Sequence, residues 1–187
     1  MTNTIRTFIA IKILPEKELI KTLAIFKKSL ASEKIKWVEP NNLHLTLKFV
    51  GDTSHGQVEE IKNLLENISN QFGRFSLTLN GLGFFKSKGQ PRVLFAKLEY
   101  DESLELIYNI LEEQLSEIGI EKDKRDFKPH LTLARIKYIK NKRLFYSVME
   151  KLKNTYFQKS TVSEIHYFQS VLKPTGPVYQ TLKVANL

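Results

Sequence analysis

At 187 residues, 42% of them apolar, the chain has the length and apolar content of one globular domain, and no apolar run is long enough to span a bilayer. It has no cysteine, which excludes disulfides, thiolate zinc sites and cysteine nucleophiles. Basic residues outnumber acidic ones 29 to 20, a net charge of +9 that suits a polyanionic partner and equally suits a lysine-rich proteome.

The opening segment from Met1 lacks the basic region, apolar stretch and cleavage site of a signal peptide, so a cytoplasmic location is expected. Residues 5–14 alternate as a strand does. Pro15 suits the first turn of a helix, and Leu19, Leu23, Phe26 and Leu30 recur at helical spacing to about residue 31. Pro40 disfavours helix at Glu39, and Asn41-Asn42 forms a turn into a second strand that ends near Gly51-Asp52. Thr53 or Ser54 caps a second helix with the stripe Val58, Ile61, Leu64, Leu65, Ile68 and Phe72. Residues 75–79 alternate again, and Gly81-Leu82-Gly83 breaks that strand. Residues 92–98 form the other arm of a hairpin with a long basic tip at 86–92. Asp101 or Ser103 opens a third helix, buried through Leu104, Ile107, Tyr108, Leu111, Leu115 and Ile118 and ended by Gly119. Charged residues 121–126 make a surface loop before a further strand, and residues 141–153 a short helix. Residues 157–172, read as one bent or bulged strand, and residues 178–184 close the chain around a turn at 173–177. The order is β-α-β-α-β-β-α-β-α-β-β within one domain, 1–187.

Two of these strands carry the same words. Leu43-His44-Leu45-Thr46-Leu47-Lys48 and Pro129-His130-Leu131-Thr132-Leu133-Ala134-Arg135 both read His-Leu-Thr-Leu. Strict alternation puts His44, Thr46 and Lys48 on one face and Leu45, Leu47 and Phe49 on the other. It likewise sets His130 and Thr132 opposite Leu131 and Leu133. Two near-equivalent sets of helices and strands, each with one motif, predict α+β lobes packed face to face, with His44 and His130 meeting across a groove.

Two imidazoles make a proton donor and acceptor pair near neutral pH, and the hydroxyls of Thr46 and Thr132 can donate to anionic oxygens. Neither a cysteine nucleophile nor paired carboxylates accompany them. This equipment suits phosphoester cleavage, in which a base activates an oxygen nucleophile, an acid protonates the leaving oxygen and hydroxyls hold the phosphate. A single His-x-Thr reads more simply as a packed strand; the repetition, with leucines matched at both flanks, favours a site. A zinc shell needs carboxylates or thiolates, and none recurs near either motif, so neither metal nor cofactor is expected. His55, in a turn ahead of a helix, and His166, on a strand, lack the threonine two residues on and read as structural.

The chain resembles the two-histidine phosphoesterase superfamily, and within it the RNA 2′,3′-cyclic phosphodiesterases, also called 2′-5′ RNA ligases. The resemblance runs through Arg6-Thr-Phe-Ile-Ala-Ile11, the stretch from Trp37 to Asp52, Gly81-Leu-Gly-Phe-Phe85, Pro91-Arg-Val-Leu94, the second motif to Arg135, and the stretch from Ser170 to Tyr179. It implies two pseudo-symmetric lobes of antiparallel sheet with helices outside, and metal-independent hydrolysis of an RNA 2′,3′-cyclic phosphate to a 2′-phosphomonoester. It casts His44 as the acid that protonates O3′ and His130 as the base that activates water. Thr46, Thr132 and Arg135 then bind phosphate, and Phe49 stacks on a base. Parity raises a difficulty here, because Arg135 and Phe49 alternate with the leucines and reach the groove only through a twist or bulge.

The expected partner is an RNA end or nucleotide bearing a cyclic phosphate, acted on by a monomer without a membrane. Lys48 and the basic stretches 86–92 and 137–143 are candidates for upstream phosphates. Three alternatives stay open: another ester for the same site (an RNA 3′ end, a small cyclic nucleotide), reverse 2′-5′ ligation in vitro, and an RNA-binding module without chemistry.

Overall fold

The structure, a computed structural model, describes residues 4–174 and 176–187. Met1 to Asn3 of the opening segment and Thr175 of the turn expected at 173–177 lie outside the described residues. The chain runs β1 (Thr4–Lys12), α1 (Lys17–Ser29), β2 (Lys34–Trp37), a 3₁₀ turn (Pro40–Asn42), β3 (His44–Ser54), α2 (His55–Ser69), β4 (Phe75–Ser87) and β5 (Gln90–Tyr100). It continues with α3 (Glu102–Glu117), β6 (Leu131–Tyr138), α4 (Lys142–Leu152), β7 (Tyr156–Val162), β8 (Glu164–Lys173) and β9 (Gly176–Asn186). The expected α+β class is the one observed.

All described strands belong to one curled antiparallel sheet in the order β7-β4-β5-β6-β3-β1-β8-β9, with β2 pairing β6 beside β3. The two motif strands are therefore neighbours at its centre, joined where Leu45 faces Leu131. One face of the sheet is apolar. Leu45, Leu47, Leu131 and Leu133 form a continuous core there with buried residues of all four helices. Truncating a fully buried leucine in such a core to alanine typically costs about 2–5 kcal/mol. On the other face a separate small cluster of Phe8, Ala10 and Phe168 packs with Tyr179.

Local chemistry sets the helix starts. Ser54 caps α2 in a reciprocal box with Gln57: the Gln57 N–H donates to the Ser54 hydroxyl at 3.3 Å, and the Ser54 N–H to the Gln57 side-chain oxygen at 3.1 Å. Thr53, the other capping candidate, is buried instead and hydrogen-bonds Thr7 at 2.7 Å. Asp101 caps α3 by accepting the Ser103 N–H at 2.8 Å.

Four expectations change. Gly81 to Gly83 does not end β4; it produces a register shift between Leu79 and Leu82, and the strand continues to Ser87. The β4–β5 connection is a tight turn rather than a long tip, because Lys88 (φ 50°) and Gly89 (φ 72°) both take the left-handed conformation that matches strand twist. Residues 156–173 are two strands, not one. They part at Ser163, β7 pairing β4 at one edge of the sheet and β8 pairing β1 in the other half. β2 is an additional strand; Lys34-Ile35-Lys36-Trp37 does alternate, but over four residues only.

Candidate active site

Each motif strand carries a bulge, and the two bulges occupy equivalent positions. Ala10 pairs Thr46 while Ile9 pairs Lys48, so Leu47 is the extra residue on β3. Phe95 pairs Thr132 while Leu94 pairs Ala134, so Leu133 is the extra residue on β6. A bulge of this kind turns two successive side chains to one face and reverses the alternation beyond it. Leu47 with Lys48, and Leu133 with Ala134, are accordingly buried pairs. The next residue in each strand, Phe49 and Arg135, emerges on the histidine face. This removes the parity difficulty. Phe49 is 60% exposed, and its ring lies 6.2 Å from that of Phe8, which also packs against His44.

Lys48 moves the other way. It is 1% exposed, behind the sheet, with Nζ 2.6 Å from Glu112 Oε1, 3.5 Å from Asp123 Oδ1 and donating to the Glu121 carbonyl at 2.8 Å. It cannot meet an upstream RNA phosphate as alternation predicts.

The two histidines are held alike. His44 Nδ1–H donates to the Asn42 carbonyl at 2.6 Å, and His130 Nδ1–H to the Lys128 carbonyl at 2.7 Å, each two residues back. A carbonyl can only accept, so Nδ1 is the protonated nitrogen in both rings and Nε2 is left to exchange protons. His44 sits between the rings of Phe8, at 5.0 Å, and Tyr179, edge-on at 5.2 Å. His130 sits between Phe85, edge-on at 4.8 Å, and Phe95, at 5.3 Å. Gly83 makes the second wall possible, since a Cβ there falls 2.5 Å from the Phe95 ring.

Burial lowers the pKa of both imidazoles from the ordinary value. The carbonyl bonds oppose this, and the positive charge of Arg135 adds to it at both rings. The charge of His130 further lowers that of His44, so the two rings feel each other and Arg135 feels both. One imidazolium therefore opposes protonation of the other. An antiparallel register centred on Leu45 and Leu131 sets Thr132 across from His44 and Thr46 across from His130, both half-buried.

All six residues singled out by the sequence, His44, Thr46, Phe49, His130, Thr132 and Arg135, thus share one face of the sheet. Sequence reasoning missed the aromatic walls. Phe8 and Phe95 lie on the strands next to the motifs, Phe85 and Tyr179 on strands further out, and only the pairing of strands, which the chain does not spell out, brings them to the histidines. His166 stands on this face too, but behind the site, stacked on Phe168 at 5.3 Å with Nε2 3.0 Å from Glu164. Among the described residues no three His, Asp or Glu side chains converge as metal ligands, and no helix is long and apolar enough to cross a membrane.

Known proteins bear on this arrangement. The chain is 34% identical over 178 residues to a Methanocaldococcus jannaschii protein named RNA 2′,3′-cyclic phosphodiesterase, covering 95% of this chain and 98% of that one. A Thermotoga maritima protein of the same name is 33% identical over 177 residues, with 95% and 92% covered. The fold superposes on a crystal structure of a Thermus thermophilus protein with a TM-score of 0.80 at 28% identity, covering 97% of each chain. The family model described as LigT-like phosphoesterase matches residues 11–95 and 98–179, which include both motifs, the aromatic walls of both histidines except Phe8, and Arg135. By its motifs, its sheet and these matches, the chain belongs to the LigT-like phosphoesterase family.

Proposed function

We propose that this protein hydrolyses 2′,3′-cyclic phosphate ends of RNA to 2′-phosphomonoesters, as a monomer and without a metal. One observation carries the reading. Two imidazoles on paired strands are locked in the same tautomer with Nε2 free, and a guanidinium acts on both of them. Two proton carriers beside a fixed positive charge are what an in-line displacement at an anionic phosphorus requires.

In this mechanism His130 Nε2 takes a proton from water as its oxygen attacks phosphorus. The P–O3′ bond breaks, and O3′ takes the proton from His44 Nε2. The phosphate stays on O2′ and the 3′-hydroxyl leaves. Arg135 and the hydroxyls of Thr46 and Thr132 hold the non-bridging oxygens as charge gathers on them, and Phe49 offers a ring to the base. Turnover thus starts from His44 protonated and His130 neutral, a state that a bound phosphate anion favours by raising the pKa of the imidazoles beside it. An RNA 5′-hydroxyl in place of water attacks the same phosphorus, breaks the same P–O3′ bond and forms a 2′-5′ linkage, so weak ligation in vitro is part of the same chemistry.

The names borne by the relatives from M. jannaschii and T. maritima support this choice of ester over an RNA 3′ end or a small cyclic nucleotide. The test is a short RNA ending in a 2′,3′-cyclic phosphate, incubated with the protein and excess chelator. The expected product is a 2′-phosphate end. A 3′-phosphate end, loss of turnover on chelation, or binding without turnover each contradict the proposal, the last in favour of an RNA-binding module.

A further inference from the structure

A small hollow, open to solvent, adjoins His44 on the side away from His130. Its walls include Lys12, Asn41, His44, Phe168, Tyr179 and Thr181. Lys12 is the residue directly across from His44 on β1, the neighbour of β3 opposite to β6. Among the described residues Lys12 has no ion-pair partner, and neither Asn41 nor Thr181 has a side-chain hydrogen bond. Asn42, by contrast, is committed, its side chain donating to the Pro177 carbonyl at 3.3 Å. We infer that this hollow is a subsite for the phosphate on the 5′ side of the reacting nucleotide.

The inference rests on the proposed function and follows from the connectivity of ribose. His44 protonates O3′, so C3′ lies against His44. C3′ is bonded to C4′, which carries C5′ and O5′. C2′ and the base-bearing C1′ lie on the other flank of the ring. The chain toward the preceding nucleotide therefore leaves past His44, away from His130, and the first groups in its path are those of the hollow. They are a lysine ammonium, an amide and hydroxyls, set against the rings of Phe168 and Tyr179. Burial keeps the Tyr179 phenol protonated, so it too can donate. Recognition there reads the length of the substrate rather than its base, and discriminates an RNA end from a free nucleoside cyclic phosphate.

The test compares kcat/KM for a dinucleotide ending in a 2′,3′-cyclic phosphate with that for the matching nucleoside 2′,3′-cyclic phosphate. The variants are Lys12→Met and, as a charge control on an outer helix, Lys21→Met. The dinucleotide preference is expected to fall about tenfold in Lys12→Met, consistent with loss of one charge-assisted contact, and to stay at the wild-type value in Lys21→Met. Equal losses on both substrates, an unchanged preference, or an equal effect of Lys21→Met overturn the subsite. Calorimetric binding of a nucleoside 2′-phosphate and a nucleoside 2′,5′-bisphosphate reads the subsite without turnover. The bisphosphate is expected to bind tighter to the wild type and to lose that advantage in Lys12→Met; equal binding of the two by the wild type overturns the inference. Absence of hydrolysis alongside a retained bisphosphate preference counts against the proposed reaction and not against the subsite.

Discussion

The half of the sheet that carries His44 and the half that carries His130 place the same bulge under the same motif, yet they hold it from behind by opposite means. Behind β6 the second bulged residue is Ala134, and its partner across β2 is Trp37, which meets Phe26 edge-on at 5.8 Å. Behind β3 the equivalent residue is Lys48, whose ammonium is closed in by Glu112, Asp123 and the Glu121 carbonyl. One half fixes its turn of alternation with rings and a methyl group, the other with a buried ion pair. The front faces differ as sharply. The residue released by the bulge is a phenyl ring in one half and a guanidinium in the other. A duplicated backbone device can thus keep its geometry while its support and its payload diverge, because a bulge constrains the direction of side chains and not their chemistry.

The largest effects test whether the histidines have also diverged. His44→Ala and His130→Ala are each expected to lower kcat by about 100- to 10,000-fold, with the fold intact by circular dichroism. The pH profiles separate the roles. The base must be neutral, so activity falls as pH drops through its pKa; the acid must be protonated, so activity falls as pH rises through its own. The residual activity of His44→Ala is expected to lose the alkaline limb, and that of His130→Ala the acid limb. The reverse pattern exchanges their roles.

Next comes the support. Lys48→Met leaves the Glu112 carboxylate buried without its cation, and is expected to cost about 3–5 kcal/mol in urea unfolding. The double replacement Lys48→Met with Glu112→Leu is expected to recover most of that loss, since an apolar pair of similar volume often matches a buried ion pair. If the single variant is as stable as the wild type, the ionic side of the comparison fails.

Smallest and most informative is the payload. Arg135→Ala is expected to lower kcat/KM by roughly 10- to 100-fold through loss of a charge-assisted phosphate contact. It also removes a positive charge that depresses both imidazoles, so its kcat/KM optimum moves to higher pH. Phe49→Ala is expected to raise KM by about 5- to 100-fold, the range of one base–aromatic stack, and to leave the pH optimum in place. In the unmodified protein burial holds both histidines below about 6.5, and a bound phosphate anion raises them. The optimum for kcat is therefore expected at higher pH than that for kcat/KM.

His44, Thr46, His130 and Thr132 are legible in the sequence because a strand has period two and the motif is written twice. Phe49, Arg135 and Lys48 are assigned to the wrong faces by the same rule. Leu47 and Leu133 carry no glycine or proline to mark them as bulges, and the residues that follow could pack on either side. The break at Ser163 hides for a similar reason: Val162-Ser163-Glu164 continues an alternating pattern while the chain changes sheet edges. Strand partners are long-range facts, and aromatic walls built from partners inherit that opacity.

That change of edges bears on how the protein is assembled. β7 finishes the half that holds His130, and β8 with β9 then finishes the half that holds His44. Tyr167 on β8 donates to the hydroxyl of Thr7, 160 residues earlier, at 3.1 Å. Pairings across such separations close late, after the chain entropy of the whole intervening loop has been lost. On a growing chain, Phe8 and His44 wait for Phe168 and Tyr179, and the Phe8 ring of β1 stays uncovered until β8 and β9 have been made. A nascent chain stalled before β8 thus presents an open strand edge beside an aromatic patch, the kind of surface that chaperones capture and that other chains can pair with.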